Sequence, residues 1–551
     1  MKKIVPTLVS VISLSLATGL PSHSNVAQAE EFTPYYGSGP SYIQPDNLSY
    51  LFPVPDTSFK TPAFQQDRLA FTSQEEMNTF IEGLTHKNKH IQMKTIGQST
   101  EGRDIPMLLF SKDSKKLQKN SKKPLIWIQG QIHGNEPAAG ESTLVIAQWL
   151  AEGKLGNVLD KVNIAIVPRV NPDGSYYFKR TTATNLDANR DYLKVEHPEV
   201  QTIHRAINAY EPEVILDVHE YTVNPAPLKK VGKNGAIASY DLLISSAKNL
   251  NIPQQLRKAS DELLLPKVFK TLEKEKLSYK DYYTLATSED GVLTATEGST
   301  EARIGRNALG LKNTMSYLIE TRGINIGRTD FTRRVHAQAT AQAAFIKATA
   351  DQATKVKKVV RQSESEVVKK GAKANDNDKV VIKSENKRIK NQKLTVIDLE
   401  KAKKVDTSID WFDSTDAYPT LVRNRPTAYI LPSEYKEVAK KLERLGVQVN
   451  TLKKSITIPV ESYKVTDLKV SDELENGHAT KEVTTSVHTK KQSFPKGSYV
   501  FNMSQPDANF IALTLEPEGI DSYVTFNFIP AAKGDELPIY RYMKQPPLPV
   551  K

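Results

Sequence analysis

Gln131-Ile-His-Gly-Asn-Glu-Pro137 decides how this chain is read, because His133 and Glu136 stand three residues apart directly after the apolar run Pro124-Leu-Ile-Trp-Ile-Gln129. The run has the length and continuity of a buried strand, and Ala138 to Leu150 has helical character, so both residues fall on a strand-to-helix loop. In open α/β sheets ligands bind beyond the carboxyl ends of the strands, which makes this loop a candidate site. A second buried-strand pattern, Glu213-Val-Ile-Leu-Asp-Val218, delivers His219 at its own carboxyl end. Two imidazoles and one carboxylate form a three-ligand set of the kind that holds zinc with a fourth position open. The same nitrogen and oxygen donors would also accept cobalt or manganese. A third run, Thr314-Met-Ser-Tyr-Leu-Ile319, ends in Glu320, so another carboxylate arrives at a similar strand end.

Further along, Asn171-Pro-Asp-Gly174 is a strong turn sequence, since Pro fixes φ and Gly accepts positive φ. Phe178-Lys-Arg-Thr181 and Leu186-Asp-Ala-Asn-Arg190 follow, and Leu318-Ile-Glu-Thr-Arg-Gly323 closes the third strand. Taken in this order, these motifs resemble the zinc carboxypeptidase family that includes carboxypeptidase A. The likeness covers roughly the middle half of the chain. It implies an α/β fold, a mixed-sheet catalytic domain with helices on both faces, holding zinc on His133, Glu136 and His219.

The resemblance also implies roles for the remaining residues. Glu320 is expected as general base and acid. Arg190, with Asn189 beside it, is expected to hold the free terminal carboxylate, which a planar guanidinium grips with paired charge-assisted bonds. Arg180 is expected to polarise the scissile carbonyl, with Arg169 as the fallback. Asp187 is expected to accept from the other ring nitrogen of His133 and fix its tautomer. The family's tyrosine ahead of the catalytic glutamate has no counterpart between Tyr283 and Tyr317, so its role is either vacant or filled by Tyr279, Tyr282 or Tyr283. Arg303 or Arg306 is a candidate for the wall that meets the terminal side chain, where it would favour an acidic residue. Other histidines, such as His197 and His204, fall on a helical pattern and read as helix residues.

The start of the chain, residues 1–29, reads as a secretory signal: Lys2 and Lys3, a mostly apolar stretch, then Ala27-Gln28-Ala29. Pro6, Ser10, Ser13 and Ser15 interrupt the stretch and argue against a retained membrane span. The expectation is therefore a secreted protein of the extracellular or cell-envelope space. The absence of cysteine excludes disulfides and a thiol nucleophile. The net charge of +12 suits a solvated basic face or anionic cell-wall polymers, and no nucleic-acid-binding motif is present.

Residues 30–62 read as an extended leader, with Thr72 or Ser73 capping the first helix after it. Residues 63–353 read as the catalytic domain and 354–378 as a charged linker or solvated helix end. Residues 379–551 read as an accessory region, a small α/β part and then a β-rich, sandwich-like part. In it Val380–Ile382 and Leu394–Ile397 look like a strand pair, and Phe510–Leu513 and Tyr523–Phe528 look like strands. Three functions fit: a carboxypeptidase acting on peptide or protein C-termini, a zinc amidase acting on cell-wall peptides or N-acyl amino acids, and an inactive binding protein on the same scaffold.

Overall fold

The computed structural model describes residue 36 and residues 39–551 apart from 67, 114–120, 375 and 546. The expected signal segment lies outside these residues. The first part supplies β1 (Ile91–Gln98), β2 (Asp104–Phe110), β3 (Leu125–Gly130), β4 (Asn163–Val167), β5 (Val214–Thr222), β6 (Ala236–Ala238), β7 (Leu242–Ser246), β8 (Tyr279–Asp281), β9 (Thr284–Thr287), β10 (Leu293–Thr296) and β11 (Met315–Ile324). After it come β12 (Lys379–Asp398), β13 (Lys403–Asn424), β14 (Ala428–Leu431), β15 (Asn450–Thr451), β16 (Ile456–Glu475), β17 (His478–Phe494), β18 (Tyr499–Asn502) and β19 (Glu536–Tyr542).

The central sheet has eight strands in the order β1-β2-β4-β3-β5-β11-β7-β8. It is mixed: β3, β4, β5 and β11 pair in parallel, whereas β1, β2 and β7 join antiparallel partners. Every residue of β3 is buried, and so is β5 up to its last position. Such strands read as unbroken apolar runs because both faces are covered. Helices Pro137–Ala151 and Phe331–Asp351 supply part of that cover. Ahead of β1, helix Gln74–Lys87 starts in a capping box between Ser73 and Glu76. Of the leader, Leu48 and Phe52 are buried in a small cluster with Val223, Ile237, Ile326 and Ile397.

The C-terminal region is β-rich, but its strands divide between two sheets. β12 and β13 form a long hairpin inserted between strands of the first part, in the order β6-β12-β13-β10-β9. The other six form the antiparallel sheet β15-β18-β14-β19-β16-β17. Instead of a self-contained sandwich, one of the two sheets is completed by β6, β9 and β10. Val380–Ile382 and Leu394–Ile397 lie in one strand, not two, and β13 is the partner of both. Phe510–Leu513 lies in helix Ala508–Leu515, buried on every side, which removes the alternation that would separate helix from strand. Tyr523–Phe528 is a series of turns. Most of the charged stretch 354–378 is helix Ala353–Gly371, which buries Val356, Ser363, Val367 and Gly371 along one side.

Candidate active site

The register of three strands builds the site. Gly130 at the end of β3 pairs with Val218 of β5, and the next residue of β5, His219, pairs with Glu320 of β11. The chain leaves β3 for β4 on one side and returns to β5 on the other, so the loop carrying His133 and Glu136 opens where the strand order reverses. That loop is held from below. A Cβ on Gly134 would come within 1.9 Å of the Gly174 backbone, so the glycines of His-Gly-Asn-Glu and Asn-Pro-Asp-Gly serve one close approach. Asn171 caps the short turn by accepting from Gly174 N at 2.8 Å and donates to Ile132 O at 3.1 Å.

His133, Glu136 and His219 converge with ligand atoms all within 4.8 Å of one another, each residue no more than 2% exposed. His133 Nδ1 lies 2.7 Å from Glu136 Oε1, His219 Nδ1 lies 3.0 Å from Glu136 Oε2, and the two Nδ1 atoms are 3.2 Å apart. The opposite ring nitrogens face carboxylates: His133 Nε2 is 3.1 Å from Asp187 Oδ1, and His219 Nε2 is 3.2 Å from Asp217 Oδ2. Carboxylates on the Nε2 side favour the tautomer whose Nδ1 lone pair points inward. Two lone pairs and a carboxylate, buried and aimed at one point, are an acceptor set that only a cation satisfies. The residues therefore fit a metal such as zinc. Burial acts to raise the Glu136 carboxyl, but positive charge on the His133 and His219 imidazoles overcomes it and holds the group well below the usual range, a charge that a metal ion on neutral imidazoles would supply in its place.

Glu136 is also fixed from β5, where the backbone N–H of Glu220 donates to its Oε2 at 3.1 Å. The Glu220 side chain pairs with Arg334 at 2.6 Å and accepts from Ala138 N at 2.8 Å, which ties the helix after the loop to the same strand. Neither Asp217 nor Glu220 figured among the expected site residues. For Asp217 a signal was present: in a strand, position i−2 shares the face of the histidine, and an acidic residue there in an apolar run calls for a reason.

Glu320 is buried beside the triad. Burial pushes its carboxyl up to about 7; the His219 imidazole opposes this and the Glu136 carboxylate adds to it. A cavity of about 500 Å³ opens in front and is lined by Glu320, His133, Arg180, Asn189, Arg190 and Tyr282, among others. Arg180 is held by Asp187 Oδ2 through Nε at 3.1 Å and Nη2 at 2.9 Å, with Nη1 3.3 Å from His133 Nδ1. Asn189 Oδ1 accepts from Gly305 N at 2.8 Å, which orients its amide. The fallback Arg169 is elsewhere: it is buried on Gln131, Gln74 and the carbonyl of Thr72. Of the three tyrosines, Tyr282 and Tyr283 line the cavity, and Tyr283 packs on Trp411. Tyr279 stacks on Phe269. Arg303 is taken up by Asp521 and Glu301, each at 2.9 Å, whereas Arg306 lines the cavity.

Carboxypeptidase 2 of Trichophyton rubrum is 33% identical to this chain over 476 residues, covering 85% of this chain and 86% of the fungal one. The chain belongs to the zinc carboxypeptidase family. Residues 77–327 match the family pattern described as zinc carboxypeptidase. Carboxypeptidase SOL1 of Arabidopsis thaliana is 24% identical over 159 residues, 26% of this chain and 32% of the plant protein. Among solved structures, the carboxypeptidase A from Helicoverpa armigera aligns with a TM-score of 0.39 at 17% identity, over 56% of this chain and 80% of that one. This carboxypeptidase is thus a peptide hydrolase of a family that is zinc-dependent and acts on peptide C-termini. Among the described residues no helix is long and apolar enough to cross a membrane.

Proposed function

We propose that the chain is a secreted metallocarboxypeptidase that hydrolyses the C-terminal peptide bond of peptides or proteins, with residues 63–353 as its catalytic part. The observation that carries this reading is the pairing of His219 with Glu320 in adjacent strands, beside His133 and Glu136 and facing Asn189 and Arg190 across one cavity. His133, Glu136 and His219 would hold zinc. When bound, zinc supplies a Lewis acid that polarises a carbonyl oxygen and acidifies water.

The chain's own groups do the rest. The Arg190 guanidinium grips the terminal carboxylate, and Asn189, its Oδ1 already engaged, offers Nδ2 to the same group. That places the last peptide bond, rather than an internal one, beside Glu320. A carboxylate oxygen of Glu320 takes a proton from the attacking water and returns it to the leaving amine. Arg180, steadied by Asp187, presents Nη1 to the charge that develops on the carbonyl oxygen. Asp187 and Asp217 act through the two imidazoles and set their orientation. Tyr282 and Tyr283, both on the cavity wall, are the tyrosines placed to fill the role of the family's tyrosine. The pattern of residues 1–29 supports export.

The test is release of free amino acids from unblocked and C-terminally amidated peptides by wild type and Glu320→Gln, each with and without chelator. Release from unblocked peptides alone, abolished by the substitution and by the chelator, is the expected result. Cleavage of amidated peptides, or activity that survives chelation, overturns the reading.

A further inference from the structure

Three arginines line the cavity, and two of them have assigned tasks. The third, Arg306, is 1% exposed and among the described residues makes a single hydrogen bond, from Nη2 to the carbonyl of Ser299 at 3.0 Å. Its Nε has no partner, and among the described residues it makes no ion pair. This sets it apart from the chain's other buried arginines. Arg303, Arg322, Arg333, Arg334, Arg425 and Arg541 each hold a carboxylate at 2.5–2.9 Å. Arg169, which has no carboxylate, directs Nε, Nη1 and Nη2 at three acceptors. A guanidinium keeps its charge when buried, and leaving it unpaired is strongly unfavourable unless a ligand completes it.

The surroundings give that ligand a shape. Gly298 has φ +54°, and a Cβ there would lie 2.5 Å from Arg306 Nη2 and 2.8 Å from Nη1, so the bare backbone is what admits the guanidinium. The Tyr282 ring centre lies 5.7 Å from the guanidinium carbon on another side. Leu243, Ile304 and Leu318 give the same cavity aliphatic wall that suits methylene groups. We propose that Arg306 selects the side chain of the released residue and that this side chain is acidic, glutamate or aspartate. An acidic C-terminal residue carries two carboxylates. The cavity holds two guanidiniums without carboxylate partners among the described residues, Arg190 for the α-carboxylate and Arg306 for the side chain. This rests on the carboxypeptidase reading and on Arg190 as its anchor.

The test uses the full zinc-loaded chain and N-blocked peptides that differ only in the last residue, ending in Glu, Asp, Gln, Leu, Phe or Lys. Wild type is expected to prefer Glu over Gln by roughly 10²-fold in kcat/KM, because Gln keeps an oxygen acceptor but loses the charge that strengthens its bonds to the guanidinium. Arg306→Gln is expected to collapse that ratio towards one, and Arg306→Lys to leave it in between. Faster release of Leu or Phe than of Glu by wild type would overturn the proposal while leaving the carboxypeptidase reading intact. Release from no peptide at all would instead remove the reading on which it rests. Should circular dichroism show that Arg306→Gln does not fold, product inhibition of wild type decides: free glutamate must inhibit more strongly than free glutamine, and equal inhibition sinks the idea.

Discussion

The strand ends that carry the triad and the long hairpins of the C-terminal region are both β structure built under opposite constraints. β3, β5 and β11 are buried on both faces, and several polar side chains at their carboxyl ends are held by others: His219 faces Asp217, Glu220 pairs with Arg334, and Gln129 donates to Asp217. β12, β13, β16 and β17, at 17 to 22 residues each, run largely through solvent and carry charged side chains along most of their length. In the first region a change of one atom type removes a function. In the second it meets water, except where a hairpin touches the catalytic loops.

The largest contrast is expected at Glu320. Glu320→Gln keeps size and hydrogen bonding but removes the proton acceptor, and kcat should fall roughly 10²–10⁴-fold with the melting temperature little changed. Steady-state kinetics alongside thermal unfolding checks both halves of this expectation. A fall in activity that merely tracks a loss of folded protein would place Glu320 with the structural carboxylates.

That site was legible in the sequence because burial on both faces leaves a continuous apolar run, and whatever polar residue ends the run stands out. His219 and Glu320 are visible for this reason, and the strand register then joins them. The hairpins were not legible in the same way. Lys379–Asp398 contains Val380 and Ile382 at one end and Leu394, Val396 and Ile397 at the other, with a charged, exposed middle, so one strand reads as two. The boundary near residue 379 reads cleanly in composition, yet hydrogen bonds from β12 to β6 and from β13 to β10 cross it. Composition reports exposure, whereas sheet membership depends on backbone groups that all residues share.

The next effect concerns pH and belongs to the buried body. His204 is fully buried on helix Pro198–Tyr210, with Nε2 2.9 Å from the carbonyl of Tyr192, and burial pushes its pKa down to about 3. In the unfolded chain the same imidazole titrates near its ordinary 6.5. Between pH 6.5 and pH 3 the unfolded state therefore binds the extra proton, and stability falls as pH falls. From pH 7 to pH 5 this single group should remove about 2 kcal/mol. Urea unfolding at the two pH values, compared with His204→Gln, isolates it. Equal losses in both proteins would mean that His204 does not carry the proton difference.

A smaller effect sharpens the comparison from the hairpin side. The turn between β16 and β17 reaches the catalytic loop: Asp187 N donates to Asn476 Oδ1 at 2.7 Å, and Asn476 Nδ2 donates to Asp187 O at 3.1 Å. Next to it, His478 Nε2 lies 2.8 Å from Glu196 Oε2. Asp187 orients both His133 and Arg180, so this exposed turn braces a residue two steps from the chemistry. Asn476→Ala should remove about 1 kcal/mol of placement, roughly 5-fold in kcat/KM. A positioning role predicts that zinc affinity weakens alongside kcat. Unchanged zinc affinity with a lowered melting temperature would reduce the turn to a simple structural strut.

The smallest effect lies two residues away and gives the control its force. Leu474 is 69% exposed, Val470 is 53% exposed, and both project from the same hairpin. Isolated apolar residues on a surface contribute little, because folding hardly changes their contact with water. Leu474→Ser with Val470→Thr should shift stability by no more than about 0.5 kcal/mol and leave kcat/KM unchanged. Leu474 and Asn476 share a strand end, a hairpin and a solvent boundary, and differ in whether the side chain meets Asp187. If the apolar pair mattered as much as Asn476, the hairpin would be acting through its bulk, or by docking another molecule, and the two hydrogen bonds at its tip would not explain its hold on the site.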